Sequence, residues 1–262
     1  MAWDERQVAM LRAIGLRVWQ PAAATVPVPA SSSPSPVTGA AAMAEEAVAV
    51  LAPAAAVPPP SSRRAQLDWP ALRQAVAGCR ACSLCESRTQ TVFGVGHPQA
   101  RWMVVGEAPG EQEDRQGEPF VGPSGQLLDA MLHALGVSRA ADGPPEQRVY
   151  IANTLKCRPP GNRNPLPEEL QRCEGFLIRQ IELVQPRVIV AMGNFAVRSL
   201  LRSHEPVGRL RGRVHRYQGV PLIVTYHPAY LLRQPAEKAR AWDDLCLAVD
   251  AADAEAATAT PS

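Results

Sequence analysis

The chain has no apolar run near the roughly 20 residues that a membrane-spanning helix needs. It also does not open with the basic-then-apolar pattern of a secretory signal. Both gaps predict a cytosolic protein. Net charge is only +2 over 262 residues, so nucleic-acid binding has to be argued from where the charge sits rather than from its total. The tract from Pro21 to about Ser62 holds no aromatic residue, and its only charges before the arginines that follow are Glu45 and Glu46. Alanine, proline, serine and valine in that mixture bury too little surface to offset chain entropy, so residues 21–66 are expected to form a disordered linker.

The remaining chain is richer. A hydrophobic content of 46% supports a real core. Trp69, Leu72 and Val76 share one helical face that leads into Cys79. Beyond it, strands are expected near 102–106, 148–153, 187–192 and 221–226. Helices are expected near 124–136, 167–184, 194–203 and 236–251. Alternating strands and helices imply a three-layer α/β/α sandwich around a central, mainly parallel four-stranded sheet. The domain is expected to cover residues 67–252, followed by a disordered tail at 253–262. In such sheets ligands bind at the carboxyl ends of the strands, where Glu107, Asn153, Gly193 and His227 stand.

One stretch organises the chain. The run Gly106-Glu107-Ala108-Pro109-Gly110-Glu111-Gln112-Glu113-Asp114 continues through Gly117-Glu118-Pro119-Phe120-Val121-Gly122-Pro123-Ser124-Gly125. It can be read as a phosphate cradle, a plain connection or a pocket wall. Four acids (Glu107, Glu111, Glu113 and Asp114) would repel an anion, and a loop this long in a compact domain is usually functional. A pocket wall is therefore expected, with glycines admitting a flat ligand. Further on, Arg198, Arg202, Arg209, Arg211, Arg213 and Arg216 crowd one short stretch against a single acid, Glu205. That stretch is either a solvated face or a surface that follows phosphates.

Six cysteines should stay reduced in the cytosol unless they hold a metal or a cluster. Cys79-x-x-Cys82 and Cys157-(x15)-Cys173 form two pairs. Four thiolates at one point suit zinc or an iron–sulfur cluster, and the long second gap across a proline-rich loop fits a bulkier cubane better. Cys85 is left as a spare thiol and Cys246 as a small core residue.

At the amino terminus, residues 1–20 form an apolar island that is either a weakly packed terminal helix or a docking peptide. Met10-Leu11-Arg12-Ala13-Ile14-Gly15-Leu16-Arg17-Val18-Trp19 resembles the amino-terminal peptide of the psi subunit of the bacterial replicative polymerase. The resemblance implies a clamp-loader subunit as partner.

Within residues 67–250 the likeness is broader. The loop Gly106–Asp114, the segment Gly117–Gly125, Asn153-Thr154-Leu155-Lys156-Cys157-Arg158-Pro159-Pro160 and His227-Pro228-Ala229-Tyr230-Leu231-Leu232-Arg233 resemble, in order, the motifs of the family-4 uracil-DNA glycosylases. These are iron–sulfur enzymes of the uracil-glycosylase superfamily. Gln234 stands where many relatives have Asn. Ala108 stands where a tightly DNA-linking relative carries Gln. The aspartate that other branches use to steer water is missing.

The resemblance implies a monofunctional enzyme that extrudes uracil from single- or double-stranded DNA and hydrolyses its glycosidic bond. A [4Fe–4S] cluster on Cys79, Cys82, Cys157 and Cys173 is implied as well. Phe120 would stack on the base, and Asn153 would match the uracil edge but not that of cytosine. Backbone around Ala108 and Gly110 would help bind the base. His227 would stabilise charge developing on uracil O2, and Glu107 would position water or stabilise the sugar cation. Leu231 or Leu232 would fill the vacated stack, while Arg211, Arg213 and Arg233 would hold phosphates. A monomer is implied. Two rivals stand against this reading: a non-enzymatic replication accessory of the same fold, and a zinc-stabilised nucleotide binder.

Overall fold

The computed structural model describes residues 64, 66–140 and 142–258. The expected docking peptide at 1–20 and nearly all of the 21–66 linker lie outside them. At the end of that linker, Arg64 donates to the carbonyl of Arg172 at 2.8 Å and lies 3.9 Å over the Phe176 ring.

The elements follow in chain order. Helices α1 (Trp69–Ala77) and α2 (Leu84–Ser87) precede strands β1 (Val95–Gly96) and β2 (Trp102–Gly106). Next come α3 (Glu111–Gln116), α4 (Pro123–Ala134), β3 (Val149–Asn153), α5 (Pro167–Val184), β4 (Val188–Met192) and α6 (Asn194–Leu201). The chain then forms α7 (Val207–Leu210), β5 (Val214–Tyr217), β6 (Val220–Thr225), α8 (Pro228–Arg233) and α9 (Lys238–Thr258). The sheet order is β1-β3-β2-β4-β6-β5. Its four central strands are parallel, as expected, and β1 and β5 add short antiparallel edges. Both edge strands are too short and too polar to show in the hydrophobic pattern.

Period-two alternation divides the strand side chains between two cores. Trp102, Val104, Val149, Ile151, Val188, Val190, Met192 and Ile223 face α4, α8 and α9. Met103, Val105, Tyr150, Ala152, Ile189, Ala191, Leu222 and Val224 face α5, α6 and α7. Burial on both faces is why these strands read as continuous apolar runs. A third cluster joins Leu72, Val76, Leu84, Phe93 and Leu155 to Cys157, Cys173 and Phe176. Helix α9 continues past residue 252 to Thr258, so the chain from 253 to 258 is helical where a disordered tail was expected. Its alanine-rich end favours helix, and Asp253 there pairs with Arg101 at 2.5 Å.

Two glycines test how tightly the site is built. A Cβ on Gly125 would lie 1.7 Å from the Phe120 carbonyl oxygen, whereas Gly136 has φ +74 with open space around it. Gly125→Ala should therefore cost at least ~2 kcal/mol by forcing backbone apart. Gly136→Ala should cost about 1 kcal/mol from backbone strain alone. Thermal melts should place the first variant several degrees below the second.

Candidate active site and metal centre

The sheet register sets Gly106, at the end of β2, opposite Asn153, at the end of β3. Pairing continues past both strands: Thr154 N–H donates to Gly106 O at 3.0 Å and Leu155 N–H to Glu107 O at 3.1 Å. At Gly106 a Cβ would fall 2.5 Å from Asn153 Oδ1 and 2.5 Å from Phe120 Cζ. Only a residue without a side chain lets these two groups close over the strand end. Phe120 in turn stacks on His227, with ring centroids 5.4 Å apart and planes 29° from parallel. Strands and loops separated by more than a hundred residues thus place Asn153, Phe120 and His227 together.

Phe120 holds φ +56, a rare conformation for an aromatic residue. The neighbouring loop imposes it. The Glu113 carboxylate accepts from Gly110 N–H at 3.0 Å, Val121 N–H at 3.0 Å and Gly122 N–H at 3.2 Å. Arg139 clamps the other side, donating to Pro119 O at 2.8 Å and Phe120 O at 3.2 Å. Buried Asp114 accepts from Thr89 N–H at 2.9 Å, which ties the loop to the α2 exit. Two of the four acids are therefore loop latches. The Gly110-x-x-Glu113 spacing ahead of α3 is a capping signature that could have revealed the first of them.

Asn153 is 2% exposed. Its Oδ1 is buried with no partner in the protein, an arrangement costing roughly 1–3 kcal/mol unless a ligand supplies a donor. His227 caps α8, its Nδ1 accepting from Ala229 N–H at 3.2 Å. That bond places the proton of the neutral ring on Nε2. Burial, then nearby Arg233, pulls its pKa down to about 4, while Glu113 pulls weakly the other way. Burial pushes the Glu107 carboxyl up to about 7. Glu107, Ala108, Gly110, His227 and Arg233 all line one cleft of about 470 Å3.

Cys79, Cys82, Cys85, Cys157 and Cys173 line one small cavity, together with Leu84, Leu155 and Phe176. They converge from the α1–α2 turn (Cys79 and Cys82), α2 (Cys85), the β3 exit (Cys157) and α5 (Cys173). The donor set fits thiolate ligation. Arg88 Nη1 donates to Cys157 Sγ at 2.9 Å and Lys156 N–H to Cys173 Sγ at 3.3 Å, the N–H···S bonds that tune iron–sulfur and zinc centres. Burial pushes the Cys173 thiol up to about 12, and charge on Cys157 and Cys79 adds to the rise. Among the described residues no three His, Cys, Asp or Glu side chains crowd round a single ion position.

Residues 93–246 match the family described as the Uracil DNA glycosylase superfamily. A type-4 uracil-DNA glycosylase of Archaeoglobus fulgidus is 42% identical over 168 residues, 61% of this chain and 81% of the relative. One from Pyrobaculum aerophilum is 40% identical over 191 residues, 69% of this chain and 93% of the relative. A third, from Thermotoga maritima, is 42% identical over 167 residues, 63% and 83% of the two chains. The chain belongs to the type-4 uracil-DNA glycosylases.

For a type-4 glycosylase sequence, the structure redraws the expected surface residues. Leu231 is fully buried, packed with Leu127, Met131 and Trp242. It is a core residue and cannot enter a DNA stack, whereas Leu232 is 44% exposed. Adjacent positions on the short helix α8 face opposite ways, which no local pattern could reveal. Arg211 is committed to buried Asp244, Nε to Oδ2 at 3.0 Å, and to the Arg240 carbonyl. It braces α9 rather than facing phosphate. Arg202 and Arg216 pair with Glu174 and Glu255. Arg213 and Arg233 remain exposed. Cys246 packs against the core beside Leu247 and Val249, as expected.

The two opposed pKa shifts have opposite consequences for stability. The raised Glu107 favours its protonated form, so its stabilising contribution is present below pH 4.5 and is lost as pH rises through about 7. Glu107→Gln should therefore stabilise the fold at pH 8 by roughly 2 kcal/mol and change little at pH 4. The lowered His227 behaves in reverse, contributing above pH 6.5 and failing as pH falls through about 4. Denaturant melts at both pH values check the signs.

Proposed function

We propose that this protein is a monofunctional DNA repair glycosylase that takes uracil out of the helix and hydrolyses its N-glycosidic bond. The products are free uracil and an abasic site. The observation that carries the reading is the buried, unpartnered Oδ1 of Asn153 beside Phe120 and His227. Uracil N3–H is the donor that oxygen lacks, and the amide NH2 meets uracil O4. Cytosine presents an acceptor and a donor in the reversed places, leaving both groups mismatched in a dry site. Phe120 supplies the aromatic surface for the base.

As the bond lengthens, negative charge collects on uracil O2 and positive charge on the sugar. Neutral His227 directs Nε2–H at that oxygen, a preorganised donor of the kind worth roughly 3 kcal/mol. A neutral ring suits this role because it needs no counter-ion in the buried site. Glu107, anionic above about pH 7, orients the attacking water and stabilises the sugar cation. Backbone at Ala108 and Gly110 completes the cleft. Leu232 enters the gap left by the base, and Arg213 and Arg233 hold phosphates.

Cys79, Cys82, Cys157 and Cys173 would hold a [4Fe–4S] cluster, which when bound supplies a cross-link between the α1–α2 segment, the β3 exit and α5. Residues 1–20 would dock a clamp-loader subunit on this monomeric cytoplasmic enzyme, a reading supported by the likeness of Met10–Trp19 to the psi amino-terminal peptide.

Release of uracil from a defined oligonucleotide by the purified, brown, iron-containing protein tests the reading. Activity should rise with pH along a limb centred near 7. Glu107→Gln should lose that limb and His227→Ala should keep it, while the latter lowers turnover about 10²–10³-fold. Deleting residues 1–62 should leave intrinsic turnover largely intact. A wild-type protein that binds DNA without releasing uracil would return the reading to a replication accessory.

A further inference from the structure

Lys156 stands between the base-reading Asn153 and the ligand Cys157 and is only 1% exposed. Every polar group it carries is used. Its N–H donates to Cys173 Sγ at 3.3 Å. Its carbonyl accepts from Val92 N–H at 2.8 Å. Its ammonium Nζ donates to the Asn153 carbonyl at 2.8 Å. A buried ammonium is tolerated only when hydrogen-bonded and balanced by opposite charge. Lys156 lines the same cavity as Cys79, Cys82, Cys85, Cys157 and Cys173; burial disfavours its charge, and the sulfurs of Cys173 and Cys157 favour it. Cysteines bound to metal are thiolates, so a loaded centre supplies the balancing charge. The stretch between the two sites is stiff, because Thr154 and Leu155 are themselves held to the carbonyls of Gly106 and Glu107.

We propose that Lys156 is a positioning residue that joins the metal centre to the uracil pocket. It is the buried counter-charge of the thiolate centre, and with the same ammonium it holds the backbone of Asn153 in its reading position. The inference rests on the glycosylase reading of Asn153. It goes beyond that reading by making base recognition and the state of the centre thermodynamically reciprocal.

The test uses the iron-loaded full chain and two oligonucleotides differing at one position. One carries a 2′-fluorinated uridine that resists cleavage, the other the matching cytidine. At saturation, the phosphate charge is the same in both complexes. The reduction potential of the centre should then differ between the two complexes in wild type, because only uracil engages Asn153. Lys156→Met should abolish that difference, lower the potential of the free protein by removing a buried cation, and reduce the preference for uridine over cytidine about tenfold. Lys156→Gln keeps a donor without the charge. It should recover part of the preference while its potential stays low.

Equal potentials in the two wild-type complexes overturn the inference, and this comparison needs no variant to fold. An Lys156→Met protein with unchanged potential and preference overturns it equally. A wild type that neither prefers uridine nor releases uracil sinks the glycosylase reading instead, and the two failures are separated by that activity measurement.

Discussion

The absence of a side chain at Gly106 is the constraint on which the site depends. Two strands end side by side there, and an ordinary residue would occupy the space where Asn153 and Phe120 meet. The same logic recurs at Gly125, which lets the Phe120 carbonyl approach α4. It recurs again at Gly193, where φ is +85 and a Cβ would lie 3.2 Å from that of His227. These glycines are chosen by close approach and not by chain flexibility. The strained backbone at Phe120 persists because its surroundings over-determine it: Glu113 gathers three N–H groups on one side and Arg139 grips two carbonyls on the other.

Burial then does the chemical tuning. The same dry environment raises Glu107 and lowers His227, so both groups favour their neutral forms near neutrality. A neutral imidazole with its proton fixed on Nε2 is a ready donor for a developing oxyanion. A carboxyl poised near 7 is easily switched to its anionic form. The unpartnered Asn153 oxygen belongs to the same design, because a binding site keeps unmet polar groups that the folded protein alone would rather satisfy.

The cysteine centre sits close behind this pocket. Asn153 and Cys157 are four positions apart on one buried segment, and the Phe176 and Leu155 side chains line the thiol cavity, where Cys157 and Cys173 are buried and the other thiols partly exposed. A group held by these thiols would brace the Asn153 strand end from behind.

Much of this could be read before any coordinates. Continuous apolar runs gave the four parallel strands, since strands buried on both faces need apolar residues at every position. Helical periodicity located α4, α5 and α6, and the rule about strand ends picked out Glu107, Asn153, Gly193 and His227. The short helices α2, α3, α7 and α8 and the edge strands β1 and β5 carried too few residues to leave a period. Tertiary structure alone decided that Leu231 faces the core and Leu232 the solvent, that Arg211 braces α9 through Asp244, and that Lys156 bonds both the Asn153 carbonyl and the Cys173 sulfur. Those outcomes depend on which distant side chain fills a given space, and local sequence holds no record of that. Residue order determined which groups reach the carboxyl edge of the sheet; packing determined which of them are left facing a ligand.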